Sequence, residues 1–451
     1  MSDAVAGRTA AIDDSLSFGL KLGWAAGSLG TVTILSTTSF LLLFFMTTLL
    51  GMGPALAGGL LFGAKLFDAL IAPWLGRVSD GHSGRWGRRR PFLLLGAFAS
   101  LAAFLILFNP PALAGTGLNI WMVGGLLVMA AGYTLFNVPY IAMPAEMTGS
   151  PQERTALMSY RIAFVGLGGA LVGFAPKFAA ELGGDRVAYA WVGAGLGMVV
   201  FVAMLVAFLA SRNARATTGT PGIAMGSYAV IFANRPFMLL LAAKALQLVG
   251  LAAIQASVLF FLKQVLGIGE GTIGGFVGVT TVVMLLSMPF WVWAAKRWSK
   301  RFLFMAGCLA YALVQLSWLL AVPGEALAPV MLRAAAGGFF TGGILLMGQS
   351  ILPDAIDHDC RRTGVRREGL YAGAYSFVEK ASTALGPLLV GLILAAAGFD
   401  PKAAAAGIAQ GADAITGVYL GAAVLPALLY ALSVVPLWYY RLDADAREGK
   451  A

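Results

Sequence analysis

Several ionisable side chains stand inside otherwise apolar stretches, chiefly Lys65, Asp68, Arg161, Lys177, Lys244, Arg333, Glu379 and Lys380. A charge at the centre of a bilayer costs at least about 2.5 to 3.5 kcal/mol on insertion scales, so such residues are functional candidates by default. Lys65 and Asp68 are three apart and share one helix face. Either they pair with each other, or Asp68 binds and releases a coupling cation near the midplane. The second reading is favoured, because a carboxylate withdrawn from water can exchange a proton at accessible pH.

Arg161 and Lys380 fall at roughly comparable places in the two halves of the chain. They can attract Asp68 or donate to ligand hydroxyls across a cavity; a fixed ion pair joining the halves is the plainer alternative. Trp24, Tyr133, Thr134, Asn137, Gln349 and Tyr375 add hydroxyl, amide and aromatic groups suited to a polyhydroxylated ligand. Taken singly, each suits helix packing as well. Glu379 adjoins Lys380, so it is turned about 100° round the helix and is expected off that cavity wall. Arg333 and Lys177 lie near span ends, where long side chains snorkel.

The elements that must hold these groups are membrane helices. The 451 residues are 59% hydrophobic and only 12% charged, with mean hydropathy +0.82, whereas soluble domains carry about 25% charged residues. Twelve apolar stretches of bilayer-crossing length are predicted, near 17–48, 55–79, 91–109, 118–144, 156–181, 187–211, 237–265, 270–295, 302–322, 326–352, 370–398 and 412–440. Their glycines let helices approach closely. The first span is too long, and lacks the small-residue cleavage site, for a signal peptide, so it is expected to remain.

The formal charge of +10 reports topology rather than nucleic-acid binding, because it is one-sided. Arg85, Arg88, Arg89 and Arg90 follow span 2, Lys296, Arg297, Lys300 and Arg301 follow span 8, and Arg361, Arg362, Arg366 and Arg367 follow span 10. The alternate loops are nearly free of positive charge, which places both termini in the cytoplasm. Opposite charges mix where the halves meet on that side: Asp80 with Arg85 and Arg88, and Asp354, Asp357 and Asp359 with Arg366 and Arg367. They are expected to latch an inner gate, although headgroup binding explains some of them.

The chain divides into a six-span half, 1–211, a cytoplasmic linker, 212–235, and a second six-span half, 236–451. PWLGRVSDGHSGRWGRRRPFLLLGA from Pro73 echoes PFWVWAAKRWSKRFLFMAG from Pro289, and PAEMTGSPQERTALMSYRIAFV from Pro144 echoes PDAIDHDCRRTGVRREGLYAGAYSFVEK from Pro353. Two repeats of six spans imply a major facilitator type of transporter with a central site at the repeat interface. Enzyme chemistry is not indicated. His82 and His358 are isolated in loops, and Cys308 and Cys360 have no ligand-spaced companions.

At these residues a resemblance emerges. K-x-x-D-A-x-x-x-P-x-x-G-x-x-x-D with R-W-G-R-R-R-P, from Lys65 to Pro91, resembles the glycoside-pentoside-hexuronide:cation symporters, the melibiose permease family. P-D-A-I-D with R-T-G-x-R-R-E-G-L, from Pro353 to Leu370, and the following Lys380 look like that family's second-half signature. The resemblance implies an all-α membrane protein of the major facilitator fold, with 12 transmembrane helices in two pseudo-symmetric halves. It implies uptake of a sugar or glycoside with H⁺, Na⁺ or Li⁺ across the inner membrane by alternating access, with no cofactor. A functional monomer in the lipid bilayer is expected.

Departures from the family pattern refine this. A second aspartate usually precedes the span 2 proline, and this chain has Ala72 there. A sodium site wants several oxygens, whereas proton coupling needs one titratable group, so H⁺ is favoured over Na⁺ at Asp68. Positions that grip a galactosyl unit in melibiose permease are here Val32 and Asn137, with Ile141 for the following aromatic. A disaccharide such as sucrose therefore fits better than melibiose. A sodium-coupled lysophospholipid carrier of the same fold is the alternative.

Overall fold

The computed structural model describes residues 16–82, 86–148, 151–213, 229–363, 368–405 and 408–440. Among these, twelve helices are long and apolar enough to span a bilayer: α1 (Phe18–Leu49), α2 (Pro54–Ser79), α3 (Arg90–Phe108), α4 (Thr116–Pro144), α5 (Ala156–Glu181), α6 (Arg186–Ala210), α7 (Arg235–Val265), α8 (Thr272–Arg297), α9 (Lys300–Leu320), α10 (Leu327–Thr363), α11 (Gly373–Ala396) and α12 (Ala412–Tyr439). Helix is what such sequences must form in lipid, because every backbone polar group has to be satisfied within its own segment.

Local chemistry sets the starts. Asp185 accepts from the Ala188 amide at 2.8 Å before α6, and Asn234 accepts from the Phe237 amide at 3.1 Å before α7. Pro54, Pro91 and Pro236 occupy first-turn positions, where no amide hydrogen is needed. Prolines also lie inside α2, α4, α8 and α11, where protein packing accommodates the freed carbonyls.

The duplication is visible in the scaffold. The full helix that contains α2 runs 28 residues from Pro54 to Gly81 and the one that contains α8 runs 28 residues from Glu270 to Arg297, each with its proline, Pro73 or Pro289, nineteen residues after its first residue. Arg90 of α3 donates to the Phe208 carbonyl at the end of α6 at 3.2 and 3.3 Å. Arg301 of α9 donates to the Leu437 carbonyl at the end of α12 at 2.9 Å, and to that of Trp438. In each half a guanidinium from the basic loop thus caps the negative C-terminal end of the last helix.

The halves meet tightly on the side opposite the basic loops. A side chain at Gly58 of α2 would strike the Pro387 carbonyl of α11, and one at Gly391 of α11 would strike the backbone of Pro54. Gly173 of α5 and Gly274 of α8 make the matching close approach, against Val277 and Phe174. The Phe44 ring of α1 meets Phe260 of α7 edge-on at 5.3 Å, with the Lys263 ammonium 4.8 Å from its centroid. Among the described residues on the basic side, Lys21 pairs with Glu153 at 2.8 Å and Lys300 with Asp354 at 2.7 Å, each within its own half.

One expectation fails here. Asp354, Asp359, His358 and Cys360 were expected in a loop after Pro353, yet α10 continues through them to Thr363. The proline costs one backbone hydrogen bond, and Arg361 and Arg362 in the last turn favour the extension electrostatically.

Candidate functional site

Asp68 stands at mid-length of α2, fourteen residues after Pro54, and is almost wholly buried. Its Oδ2 accepts from the Lys380 ammonium of α11 at 3.0 Å, so an ion pair joins the two halves at mid-length of α2. Lys380 is a fifth exposed. Its ammonium also lies 5.9 Å from the centroid of the Tyr133 ring on α4.

Thr134, fully buried on α4, places its hydroxyl against the second carboxylate oxygen, Asp68 Oδ1. The same hydroxyl is 2.8 Å from the Ala130 carbonyl one turn back. Its single hydrogen serves one acceptor at a time. With Asp68 ionised, Thr134 donates to the carboxylate. With Asp68 protonated, the carboxyl can donate to Thr134 while the hydroxyl turns to Ala130. Thr134 thus partners both states without moving.

From Asp68 a narrow crevice runs between α1, α2 and α4, lined by Lys65, Tyr133 and apolar residues such as Ile34 and Met129. Among the described residues no group of three or more His, Cys, Asp or Glu is placed to hold a metal ion. Lys65 is not within ion-pair distance of Asp68, which pairs instead across the halves. Arg161 on α5 lies within electrostatic reach of Tyr133 and Glu379; its Nε is buried and meets no hydrogen-bond partner among the described residues.

The remaining sequence candidates scatter round this centre. Asn137 lies one turn beyond Thr134 and is buried, Tyr375 is buried on α11, and Gln349 is exposed on α10. Trp24 is fully buried and stacks on Tyr140, centroids 4.6 Å apart. Tyr140 in turn donates to the Trp24 carbonyl at 2.9 Å. Of the gate candidates, Asp354 is held by Lys300 of its own half, and Arg88 is half-buried after α2. Arg85, Arg366 and Arg367, and the side chains of Asp80 and Asp357, lie outside the described residues.

Glu379 adjoins Lys380. It is exposed on α11, and its charged neighbours are Lys244 and Lys380 of its own half and Lys65 and Arg161 of the other. Residues 100° apart on α11 both face the space between halves because that helix packs on α2 along one side and on α7 along the other. Arg333, near the start of α10, reaches back to Glu325 of the preceding loop at 2.6 and 3.0 Å.

Comparison with known proteins adds to this geometry. A family described as MFS/sugar transport protein matches residues 23–444. The uncharacterized symporter YnaJ of Bacillus subtilis (strain 168) is 28% identical over 434 residues, covering 94% of this chain and 91% of the relative. The isoprimeverose transporter of Lactiplantibacillus pentosus is 27% identical, covering 90% and 85%. The glucuronide carrier protein homolog of Escherichia coli (strain K12) is 28% identical, covering 96% and 94%. Among solved structures, a bacterial homologue of the human lysosomal transporter Spinster superposes with TM-score 0.66 at 14% identity, over 96% of this chain and 97% of that one. That last likeness is one of fold alone.

Proposed function

The chain belongs to the MFS/sugar transport protein family, and from that premise we propose a proton-coupled mechanism for it. At the coarser level it is a sugar or glycoside:cation symporter of the inner membrane, a transporter and not an enzyme, with a coupling cation and no cofactor. The finer reading is that Asp68 is the cation site, that the cation is H⁺, and that a glycoside enters between halves 1–211 and 236–451, which rock about it as a monomer.

One observation carries this reading: Asp68 bonds at once to Thr134 in its own half and to Lys380 in the other. Protonation removes the charge that holds Lys380. The ion pair between halves then loosens, and Lys380 and Arg161 become available to ligand hydroxyls. A buried ion pair broken on one side costs about 3 to 5 kcal/mol, enough to make the conformational change depend on whether a proton is bound. Among the described residues, Asp68 is the one acidic side chain lining the crevice, and one titratable group suffices for a proton, which supports H⁺ over sodium.

For the substrate, Val32 supports a disaccharide such as sucrose over melibiose. Its side chain is wedged against Gly168 of α5, leaving an apolar contact in place of an acidic grip. The isoprimeverose and glucuronide carriers among the relatives extend the panel worth testing. The relatives named as sugar or glycoside carriers support a sugar over the lysophospholipid alternative.

The test is uptake of labelled sucrose, isoprimeverose and a methyl glucuronide into proteoliposomes under an inward proton gradient and, separately, an inward sodium gradient. Accumulation driven by protons and lost in Asp68→Asn is expected. Accumulation driven by sodium alone would overturn the choice of ion, and no accumulation under either gradient would overturn the substrate class.

A further inference from the structure

Two carboxylates face the space between the halves, and they are in opposite conditions. Asp68 is buried and doubly bonded. Glu379 is exposed, and no ion pair or side-chain hydrogen bond of its carboxylate is found among the described residues, although four cations surround it. Behind it lies Lys244 of α7, 4% exposed and without an ion pair among the described residues. A Cβ on Gly348 of α10 would come within 2.8 Å of the Lys244 ammonium, so that glycine makes the room the ammonium occupies. The Phe304 ring lies 5.8 Å from the ammonium on another side. Glu379 is the one carboxylate among its charged neighbours.

Tyr375 stands four residues before Glu379 and so on the same face of α11. An aromatic ring beside a carboxylate is a pair suited to a sugar: the ring covers an apolar face and the carboxylate accepts from hydroxyls. Ser376 and Lys380 form the neighbouring face, the one directed at Asp68. The helix thus carries cation coupling on one strip and an open hydroxyl acceptor on the next.

Resting on the symport proposed above, we propose that Glu379 is a substrate-binding residue, accepting hydrogen bonds from sugar hydroxyls from the C-terminal half, and that Lys244 is a positioning residue that orients this carboxylate by its charge. A carboxylate–hydroxyl bond contributes about 1.5 to 3 kcal/mol, which corresponds to a roughly 10- to 100-fold change in affinity.

The experiment measures initial uptake of labelled sucrose and isoprimeverose in proteoliposomes under a proton gradient, for wild type, Glu379→Gln, Glu379→Asp, Lys244→Met, Gly348→Ala and the Glu379→Gln/Lys244→Met double variant. Glu379→Gln is expected to raise KM at least tenfold with Vmax within about twofold of wild type, and Glu379→Asp to recover part of the loss. Lys244→Met is expected to raise KM less, and the double variant to be no worse than Glu379→Gln, because the lysine acts through the carboxylate. Should Lys244→Met fold poorly, Gly348→Ala displaces the same ammonium with the charge retained, and KM should rise there too.

An unchanged KM in Glu379→Gln, with wild-type uptake intact, overturns this inference and leaves the symport reading standing. Loss of Vmax and of proton-driven accumulation at unchanged KM overturns it in favour of a coupling role. Additive KM effects in the double variant overturn the positioning role of Lys244. Absence of uptake by wild type under either gradient removes the symport reading and this inference with it.

Discussion

The two halves share a scaffold but not a chemistry. Both carry a proline nineteen residues into their second helix, and both use a guanidinium after the basic loop to cap their last helix. Yet where α2 holds Asp68, five residues before Pro73, α8 holds Met284, five before Pro289. Where the N-terminal half has Thr134 one turn beyond Ala130 to bond that carboxylate, the C-terminal half offers Lys380 on α11 and a buried Lys244 on α7. Repetition builds the fold and its departures build the site. The N-terminal half contributes the titratable acceptor, and the C-terminal half contributes cations and one open carboxylate.

The sharpest way to break this comparison is to erase the asymmetry at its centre. Asp68→Asn removes the only carboxylate in α2 before its last turn and should lower gradient-driven uptake at least 100-fold, measured as accumulation in proteoliposomes. Moving the acid to the repeat-related place, as Asp68→Asn with Met284→Asp, should not restore uptake, because neither Thr134 nor Lys380 is there to receive it. Restored accumulation in that double variant would show the halves to be interchangeable.

Next in size is the partner. Lys380→Met strands a buried carboxylate and should cut uptake more than tenfold and lower thermal stability, by about 3 kcal/mol at the level of a broken buried pair. Combining it with Asp68→Asn removes both charges and should recover most of the stability but none of the transport, read by thermal unfolding and uptake side by side. If the double variant is as unstable as Lys380→Met, the pair is not what links the halves.

A smaller effect is expected at Thr134. Thr134→Val keeps the shape and removes one hydrogen bond to Asp68, worth about 1 to 3 kcal/mol. Vmax should fall roughly 10-fold, whereas Thr134→Ser, which keeps the hydroxyl, should stay within about threefold of wild type. Equal loss in both would point to packing.

Much of this was legible before any coordinates. The twelve spans follow from hydropathy alone, because lipid leaves apolar segments of that length no alternative to helix. Asp68, Lys380, Thr134, Tyr133 and Arg161 were legible as polar groups where polarity is expensive. The nearness of Glu379 to Lys65 and Arg161 of the other half is not legible in the sequence, because a rotation of 100° says where a residue points on its helix and nothing of how wide a face that helix turns to its neighbours. The extension of α10 past Pro353 was hidden for a related reason: a proline that ends helices in water is tolerated where surrounding protein satisfies the freed carbonyl. Lys244 was legible as a charge in the membrane, but its closeness to Gly348 depends on the packing of α7 against α10, which no local pattern encodes.

The smallest expected effect tests the shared scaffold. Arg90 lies 4.5 Å over the Phe208 ring while donating to the Phe208 carbonyl, and Arg301 lies 5.9 Å over the Trp438 ring while donating to the Leu437 carbonyl. Each guanidinium therefore adds a cation–ring contact, charge-assisted bonds and a favourable charge at a helix C-terminus. Arg90→Ala and Arg301→Ala should each lower the unfolding temperature modestly, by the equivalent of about 1 to 2 kcal/mol, with KM unaltered. The closer ring contact at Arg90 predicts the larger of the two losses. Because the clamps act within their own halves and not across the site, the two losses should be additive in the double variant. A drop in transport beyond the drop in folded protein would show instead that the ends of α6 and α12 move with the gate, and the repeated clamp would then belong to the mechanism as well as to the fold.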